Sequence, residues 1–129
     1  PLNSPRILII EDELLIQRSL KKMLEKKCAV VDAFSSGREA IPVLLSKDYD
    51  RIVCDLMLQD VTGFDVIEEA KQKYSLKEIG SLFIIITAYS SQQVLDKAAQ
   101  YGCQVLSKPF EDLERALDIF LCTKEKSEL

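Results

Sequence analysis

The sequence has 129 residues, of which 47% are hydrophobic and 29% are charged, and its formal net charge is -4 at pH 7. This length suits one domain with a substantial core, and the composition is that of a globular protein rather than a disordered one. A mildly acidic chain without a basic stripe is a poor candidate for direct binding to nucleic acid or to a membrane. Its apolar runs fall far short of the roughly 20 residues that span a bilayer, so we expect a cytoplasmic protein.

Two residue types limit the chemistry that this chain can perform. There is no histidine, which removes histidine-based acid–base catalysis and the commonest ligand for zinc or copper. The four cysteines form no C-x-x-C pair and lie in or beside apolar segments, so we expect small buried side chains in a reducing compartment. Any metal site must therefore use carboxylates and carbonyl oxygens.

Short apolar runs alternate five times with segments that repeat apolar residues at helical spacing. The predicted strands are Arg6–Ile10, Cys28–Phe34, Asp50–Cys54, Leu82–Ile86 and Val105–Leu106. A helix is predicted after each strand, and the last one contains Leu113 to Leu121. Continuous apolar strands separated by helices indicate an α/β fold, with a parallel sheet covered on both faces and five helices in all.

The pattern predicts a single domain over residues 1–129. The charged tail at 124–129 and the first five residues are expected to be flexible ends. Because the sequence begins with Pro1 rather than Met, we expect it to be part of a longer protein.

Four polar side chains come directly after predicted strands. Asp12 follows the first strand, Asp55 the third, Thr87 the fourth and Lys108 the fifth. In an open α/β sheet, ligands bind at the carboxyl ends of the strands, beside the point where the strand order reverses. With the order 2-1-3-4-5, strands 1 and 3 are neighbours, which would bring Glu11 and Asp12 next to Asp55.

Each of these residues also has a simpler interpretation. The run Glu11-Asp12-Glu13 could favour a helix N-terminus through capping and the helix dipole, and Asp55 could be a capping aspartate. Thr87 is a common strand residue, and Lys108 could be a solvated side chain. The functional hypothesis therefore depends on all of them meeting at one edge of one sheet.

Such a pocket would hold the charges needed for phosphoryl transfer to a carboxylate. Three carboxylates in one pocket repel one another, so either a pKa rises or a cation binds. The absence of soft ligands favours Mg²⁺, with Mn²⁺ as an alternative. Asp55 could then attack a phosphoryl group and form an acyl phosphate, while Lys108 supplies a second cation and Thr87 a hydroxyl donor.

At these residues the sequence resembles the receiver domain of bacterial two-component response regulators. The matching segments are ILIIEDE, IVCDLML, IIITAYS and VLSKPF, together with Gly63 before the third helix. The resemblance extends from Arg6 to about Leu121, and its specificity comes from the ordered set rather than from any one segment. It implies the flavodoxin-like fold, a doubly wound five-stranded parallel sheet in the order 2-1-3-4-5.

The resemblance also implies a role for each matching residue. Asp55 would be the phosphoacceptor, Thr87 and Lys108 would bind the phosphoryl group, and the Lys108–Pro109 peptide bond would be cis. The expected ligands of Mg²⁺ are Glu11, Asp12, Asp55 and the backbone carbonyl of Met57.

The partners implied by the resemblance are a sensor histidine kinase or a phosphotransfer protein. An output domain or a second copy of the receiver would use the surface of strand 5 and its flanking helices. The domain would catalyse its own phosphorylation and dephosphorylation without turning over external substrates.

The sequence departs from the family pattern at two positions. Receivers usually carry Tyr or Phe three residues before the lysine, and here Val105 replaces the ring of the usual output switch. Many receivers have proline four residues after the acceptor, and here Gln59 is expected to loosen the loop. Two variable positions of the family, Met57 and Tyr89, are bulky, and we expect them to hinder the water that removes the phosphoryl group.

Two alternative functions differ from that of a phosphoacceptor in the residues that they require. A pseudo-receiver keeps the fold as a binding module without phosphorylation, although such modules normally lose acidic residues or the lysine that this chain retains. A phosphatase of the haloacid-dehalogenase type needs a second aspartate two residues after its nucleophile, where this chain has Met57.

Overall fold

The computed structural model describes residues 4–122, which form five strands and six helices. In chain order these are β1 (Arg6–Ile10), α1 (Leu14–Lys26), β2 (Val30–Phe34), α2 (Gly37–Ser46), β3 (Arg51–Asp55), α3 (Gly63–Ala70), α4 (Leu76–Leu82), β4 (Phe83–Thr87), α5 (Gln92–Tyr101), β5 (Gln104–Ser107) and α6 (Leu113–Leu121). None of the helices within this range is long and apolar enough to cross a membrane. The expectation of flexible ends falls largely on residues 1–3 and 124–129, which lie outside the described range.

The strands form one parallel sheet in the order β2-β1-β3-β4-β5, which confirms the predicted topology. β1 lies beside β3, so the chain leaves both strands at the same edge of the sheet. Asp55 pairs with Ile86 across β3 and β4, and Thr87 pairs with Ser107 across β4 and β5. This register brings the carboxyl ends of four strands level with one another.

The central strands are buried on both faces. In β1, Ile7 and Ile9 pack in a cluster with α1 and α6, whereas Leu8 and Ile10 pack with α2 to α5. All five residues of β3 and of β4 are buried. Strands that are covered on both faces lack polar alternation, which explains why these segments are continuous apolar runs in the sequence.

The prediction of five helices was wrong, because α4 lies between α3 and β4 where no helix was expected. A capping box starts it: Ser75 Oγ accepts from the Glu78 N–H, and the Glu78 carboxylate accepts from the Ser75 N–H. The helix has only seven residues, and its buried residues are Ile79 and Leu82. Two turns are too short for helical periodicity to be recognised in a sequence.

The prediction for the cysteines was right for two of the four. Cys54 and Cys103 are buried, whereas Cys28 and Cys122 are exposed, and all four are free thiols. The exposed pair lie at the ends of helices, Cys28 in the turn after α1 and Cys122 at the C-terminus of α6. Their apolar flanks belong to neighbouring elements and do not bury the thiols themselves.

A buried arginine joins two helix C-termini at the amino edge of the sheet. Arg51 begins β3 and is only 7% exposed. Its Nη1 donates to the Ser81 carbonyl at 2.6 Å, and its Nε donates to the Phe120 carbonyl at 3.1 Å. Its Nη2 donates to the carbonyls of Ile119 and Cys122. The last carbonyls of a helix lack intrahelical partners, so Arg51 satisfies them while its charge complements the helix dipole.

We expect Arg51→Leu to lower the free energy of unfolding by about 3 kcal/mol, because it strips four carbonyls of a charged donor. Arg51→Lys should recover only part of this loss, since an ammonium cannot reproduce the planar fork of a guanidinium. Equilibrium urea denaturation measures both variants. Arg18→Ala, at an exposed position of α1, is the control and should change the stability by less than about 0.5 kcal/mol. Equal losses at Arg51 and Arg18 would contradict this account.

Candidate functional site

Five polar side chains meet at the carboxyl edge of the sheet. Glu11 and Asp12 follow β1, Asp55 ends β3, Thr87 ends β4 and Lys108 follows β5. All of them except Asp12 are at most 9% exposed. The structure therefore brings together the residues that the sequence singled out, and the roles assigned to them remain predictions.

Lys108 is the centre of this cluster. Its Nζ donates to Glu11 Oε1 at 2.8 Å, to Glu13 Oε1 at 2.9 Å and to Asp55 Oδ2 at 3.0 Å. Its backbone N–H donates to the Thr87 carbonyl at 2.8 Å, and the Lys108–Pro109 bond is cis, as the resemblance implied. An ammonium group has three donors, so all three are engaged.

The ion pairs and the burial act in opposite directions on the charges of the site. Burial raises the pKa of Glu11 to about 7, because the loss of hydration outweighs the hydrogen bond from Lys108. Burial alone would lower the pKa of Lys108, but its bonds to Glu11, Glu13 and Asp55 raise it above the usual value. The lysine is therefore a permanent cation, held among more carboxylates than it can neutralise.

The acidic residues also fit a hard divalent cation. Glu11, Asp12 and Asp55 each offer one oxygen, and these oxygens lie within 4.8 Å of one another. Mg²⁺ is bound in proteins by a few carboxylates, with water completing its octahedron. The Met57 N–H donates to Asp55 Oδ1 at 3.3 Å, so the Met57 peptide lies directly beside the predicted phosphoacceptor. Binding of a metal by the Met57 carbonyl stays a prediction.

The loop between β3 and α3 is anchored at Gln59 instead of being loosened there. The Gln59 N–H donates to Asp12 Oδ2 at 3.0 Å, a bond that proline could not make. The next residue, Asp60, ties the loop to the start of α2. Its carboxylate accepts hydrogen bonds from the Ser36 hydroxyl and from the backbone N–H groups of Gly37, Arg38 and Val61. Despite the opposing effect of burial, these bonds lower the pKa of Asp60 to about 2.

Gly63 is needed where α3 begins against the end of β3. A Cβ at this position would lie 3.0 Å from the Asp55 carbonyl oxygen and 3.2 Å from the Leu56 Cα. Both contacts are with backbone, which cannot rotate away. A side chain at Gly63 would therefore displace the backbone of the predicted phosphoacceptor.

Glu13 and Asp60 were not identified as site residues from the sequence. In the sequence Glu13 belongs to an acidic run at a helix N-terminus, although glutamate is not among the residues that favour an N-cap. That mismatch is the signal that could have revealed another role. Asp60 carries no local signal, because its partners at the start of α2 are distant in sequence.

The aromatic residue of the usual switch is absent from β5. Val105 is half-buried and pairs with Ile85 of β4. The nearest aromatic residue in sequence, Tyr101, ends α5 and stacks on Phe64 of α3 with ring centroids 5.9 Å apart. The Tyr101 hydroxyl donates to the Glu68 carboxylate, so this ring is held between two helices.

Comparison with known proteins places this geometry in a family. Residues 7–119 match the family model described as the response regulator receiver domain. The transcriptional regulatory protein QseB of Escherichia coli O157:H7 is 33% identical over 112 residues, which cover 86% of this chain and 49% of that protein. The chain thus spans about half the length of the curated relatives it matches.

Solved structures agree with the family model. The non-phosphorylated HemR receiver domain from Leptospira biflexa superposes with a TM-score of 0.78 at 30% identity, and 90% of each chain is covered. The receiver domain of the sensor histidine kinase PA1611 from Pseudomonas aeruginosa PAO1 has the same fold, with a TM-score of 0.75 and 24% identity over 94% of this chain and 100% of that one. That receiver has a magnesium ion coordinated in its active-site cleft.

We expect Asp12→Asn to weaken Mg²⁺ binding by about tenfold or more, because it removes one of the three clustered carboxylates. Isothermal titration calorimetry suits the measurement, since the chain has no tryptophan to report binding. Asp118→Asn makes the same change of charge at an exposed position of α6 and should bind Mg²⁺ as the unaltered chain does. Equal weakening in the two variants would show that net charge, rather than this cluster, attracts the cation.

Proposed function

The chain belongs to the response regulator receiver family, and from this premise we propose that Asp55 accepts a phosphoryl group in a reaction that depends on Mg²⁺. The observation that carries the proposal is the setting of the Asp55 carboxylate. It is 4% exposed, it is bonded to the Lys108 ammonium, and it belongs to the acidic cluster that fits a divalent cation.

The proposed reaction is an in-line displacement at phosphorus by the Asp55 carboxylate. One Asp55 oxygen forms the new bond to phosphorus, and the bond from phosphorus to the leaving group breaks. With acetyl phosphate as donor, acetate leaves with the electron pair and no proton has to move. A carboxylate nucleophile therefore needs no general base, which suits a chain without histidine. When bound, Mg²⁺ would neutralise and polarise the phosphoryl oxygens.

Two further side chains can receive the charge that develops on the phosphoryl oxygens. The Lys108 Nζ lies 3.0 Å from Asp55 Oδ2, so it can reach an oxygen of a group attached there. Thr87 Oγ1 accepts the Tyr89 N–H at 2.9 Å, which orients the hydroxyl and leaves its proton available to donate. We propose that Lys108 and Thr87 bind the phosphoryl group once it is on Asp55.

The donor in this proposal is a sensor histidine kinase or a phosphotransfer protein. This chain has no histidine of its own to donate from, and we propose that it transmits a signal rather than turning over external substrates. We further propose that the domain acts in the cytoplasm and transmits its signal to an output domain or to a second copy. Because Val105 has no ring, a movement of Thr87 toward the phosphoryl group would have to be passed to the surface of β5 and its flanking helices through other side chains.

The first test is whether the chain takes up one phosphoryl group when it is incubated with Mg²⁺ and either acetyl phosphate or phosphoramidate. Intact-protein mass spectrometry measures the gain of mass. We expect the unaltered chain to gain one phosphoryl mass and Asp55→Asn to gain none. Lys108→Ala and Thr87→Ala should react at least about tenfold more slowly, because each removes a donor to the phosphoryl oxygens. Asp118→Asn, remote from the site, should react normally.

Two outcomes of this test would favour the other functions. Binding of Mg²⁺ without any gain of mass would indicate a pseudo-receiver. Sustained hydrolysis of an external phosphomonoester such as p-nitrophenyl phosphate would indicate a phosphatase.

The lifetime of the phosphoryl group gives a second test. Met57 and Tyr89 are 54% and 70% exposed and line a surface cavity of about 640 Å³ that also includes Leu56 and Val94. We expect Met57→Ala and Tyr89→Ala to shorten the half-life of phosphorylated Asp55, because both changes open a path for water. Leu76→Ala, which removes an exposed apolar side chain from α4, is the control. Unchanged half-lives in both site variants would refute the idea.

A further inference from the structure

The side chain of Glu13 does not make the capping bond that its position predicts. Glu13 is the N-cap residue of α1, with φ of -80° and ψ of 102°, yet its side chain makes no capping bond. Short side chains are preferred at an N-cap, because their oxygen reaches the N–H groups of the first turn. The Glu13 carboxylate is instead bonded to the Lys108 ammonium at 2.9 Å.

The three carboxylate partners of Lys108 differ sharply in exposure. The side chains of Glu11 and Asp55 are 0% and 6% exposed, whereas that of Glu13 is 61% exposed. Glu11 is further fixed by the Glu13 N–H, which donates to its second oxygen at 3.0 Å. Water can replace Lys108 at the Glu13 carboxylate, but not at a carboxylate that is buried.

Lys108 has no donor left for a phosphoryl oxygen, because its three N–H groups are already engaged. While Asp55 is still a free carboxylate, the ammonium can therefore bind an incoming phosphoryl oxygen only if one of these partners is released. Glu13 is the partner whose release costs least. It also lies outside the group of three carboxylates that fit a cation, so metal binding by Glu11 and Asp55 would leave Glu13 on the ammonium.

We propose that Glu13 is a positioning residue that holds the Lys108 ammonium in the unphosphorylated domain and is exchanged for a phosphoryl oxygen during transfer. This inference rests on the proposed function of Asp55. The contact between Glu13 and Lys108 competes with the incoming group, so it slows phosphorylation.

Glu13→Asp removes the contact with Lys108 but keeps the negative charge at position 13. Aspartate keeps the negative charge, falls one methylene short of Lys108, and can cap α1, so the variant should fold at least as well as the unaltered chain. We expect its rate of phosphorylation by phosphoramidate at saturating Mg²⁺ to rise by about two- to fivefold, the range set by the loss of a partly exposed ion pair. Its affinity for Mg²⁺ should be unchanged. Glu39→Asp, at an exposed position of α2, is the matched control and should change neither quantity.

A double-mutant cycle tests whether Glu13 acts through Lys108. In a Lys108→Met background, Glu13→Asp should give no acceleration, and an acceleration that persists there would overturn the proposal. The side-chain ammonium signal of Lys108 in ¹H–¹⁵N spectra gives a readout that needs no phosphorylation. Its proton exchange with solvent should become faster in Glu13→Asp, because one donor returns to water.

The failures of the two hypotheses are distinguishable. An unaltered chain that takes up no phosphoryl group would contradict the proposed function, and with it this inference. An unaltered chain that is phosphorylated, with Glu13→Asp reacting at the same rate and showing the same ammonium exchange, would overturn the inference alone.

Discussion

The Lys108 ammonium holds together three carboxylates that would otherwise repel one another at the carboxyl edge of the sheet. Its bonds of 2.8 to 3.0 Å join residues that come from the ends of β1, β3 and β5. Removing a buried cation from such a set would leave buried carboxylates without a counter-charge. The cluster around Lys108 therefore links the ends of three strands, and its excess of negative charge favours a divalent cation.

The rest of the fold serves to keep this edge in register. Parallel pairing of β1 with β3 places Glu11 and Asp12 beside Asp55, and Gly63 allows α3 to start directly against the same strand. The loop between β3 and α3 is tied to Asp12 and to the start of α2. At the other edge, Arg51 secures α6 and α4 through their last carbonyls. β3, which carries Asp55, is thus held at both of its ends.

The sequence predicted the strands and placed five polar residues beside their ends, because continuous apolar runs and strand-end positions are strong local signals. The strand order that brings these residues together was implied by the resemblance to receiver domains. It did not predict α4, whose two turns carry too little periodicity. The partners of Glu13, Gln59 and Asp60 lie in segments far apart in the chain, and no local pattern identifies them. The one local signal is the glutamate at the N-cap of α1, which indicates that the Glu13 side chain has another role without naming its partner. The role of Arg51 could not be predicted either, because its partners are backbone carbonyls of distant helices rather than charged side chains.

The central claim is that Asp55 forms an acyl phosphate. Borohydride reduction converts an aspartyl phosphate into homoserine, which tandem mass spectrometry can assign to one residue. After treatment with phosphoramidate and Mg²⁺, we expect homoserine at position 55 alone, and none when Mg²⁺ is removed by a chelator. Homoserine at Asp12 or at another carboxylate, or its complete absence, would show that Asp55 is not the phosphoacceptor.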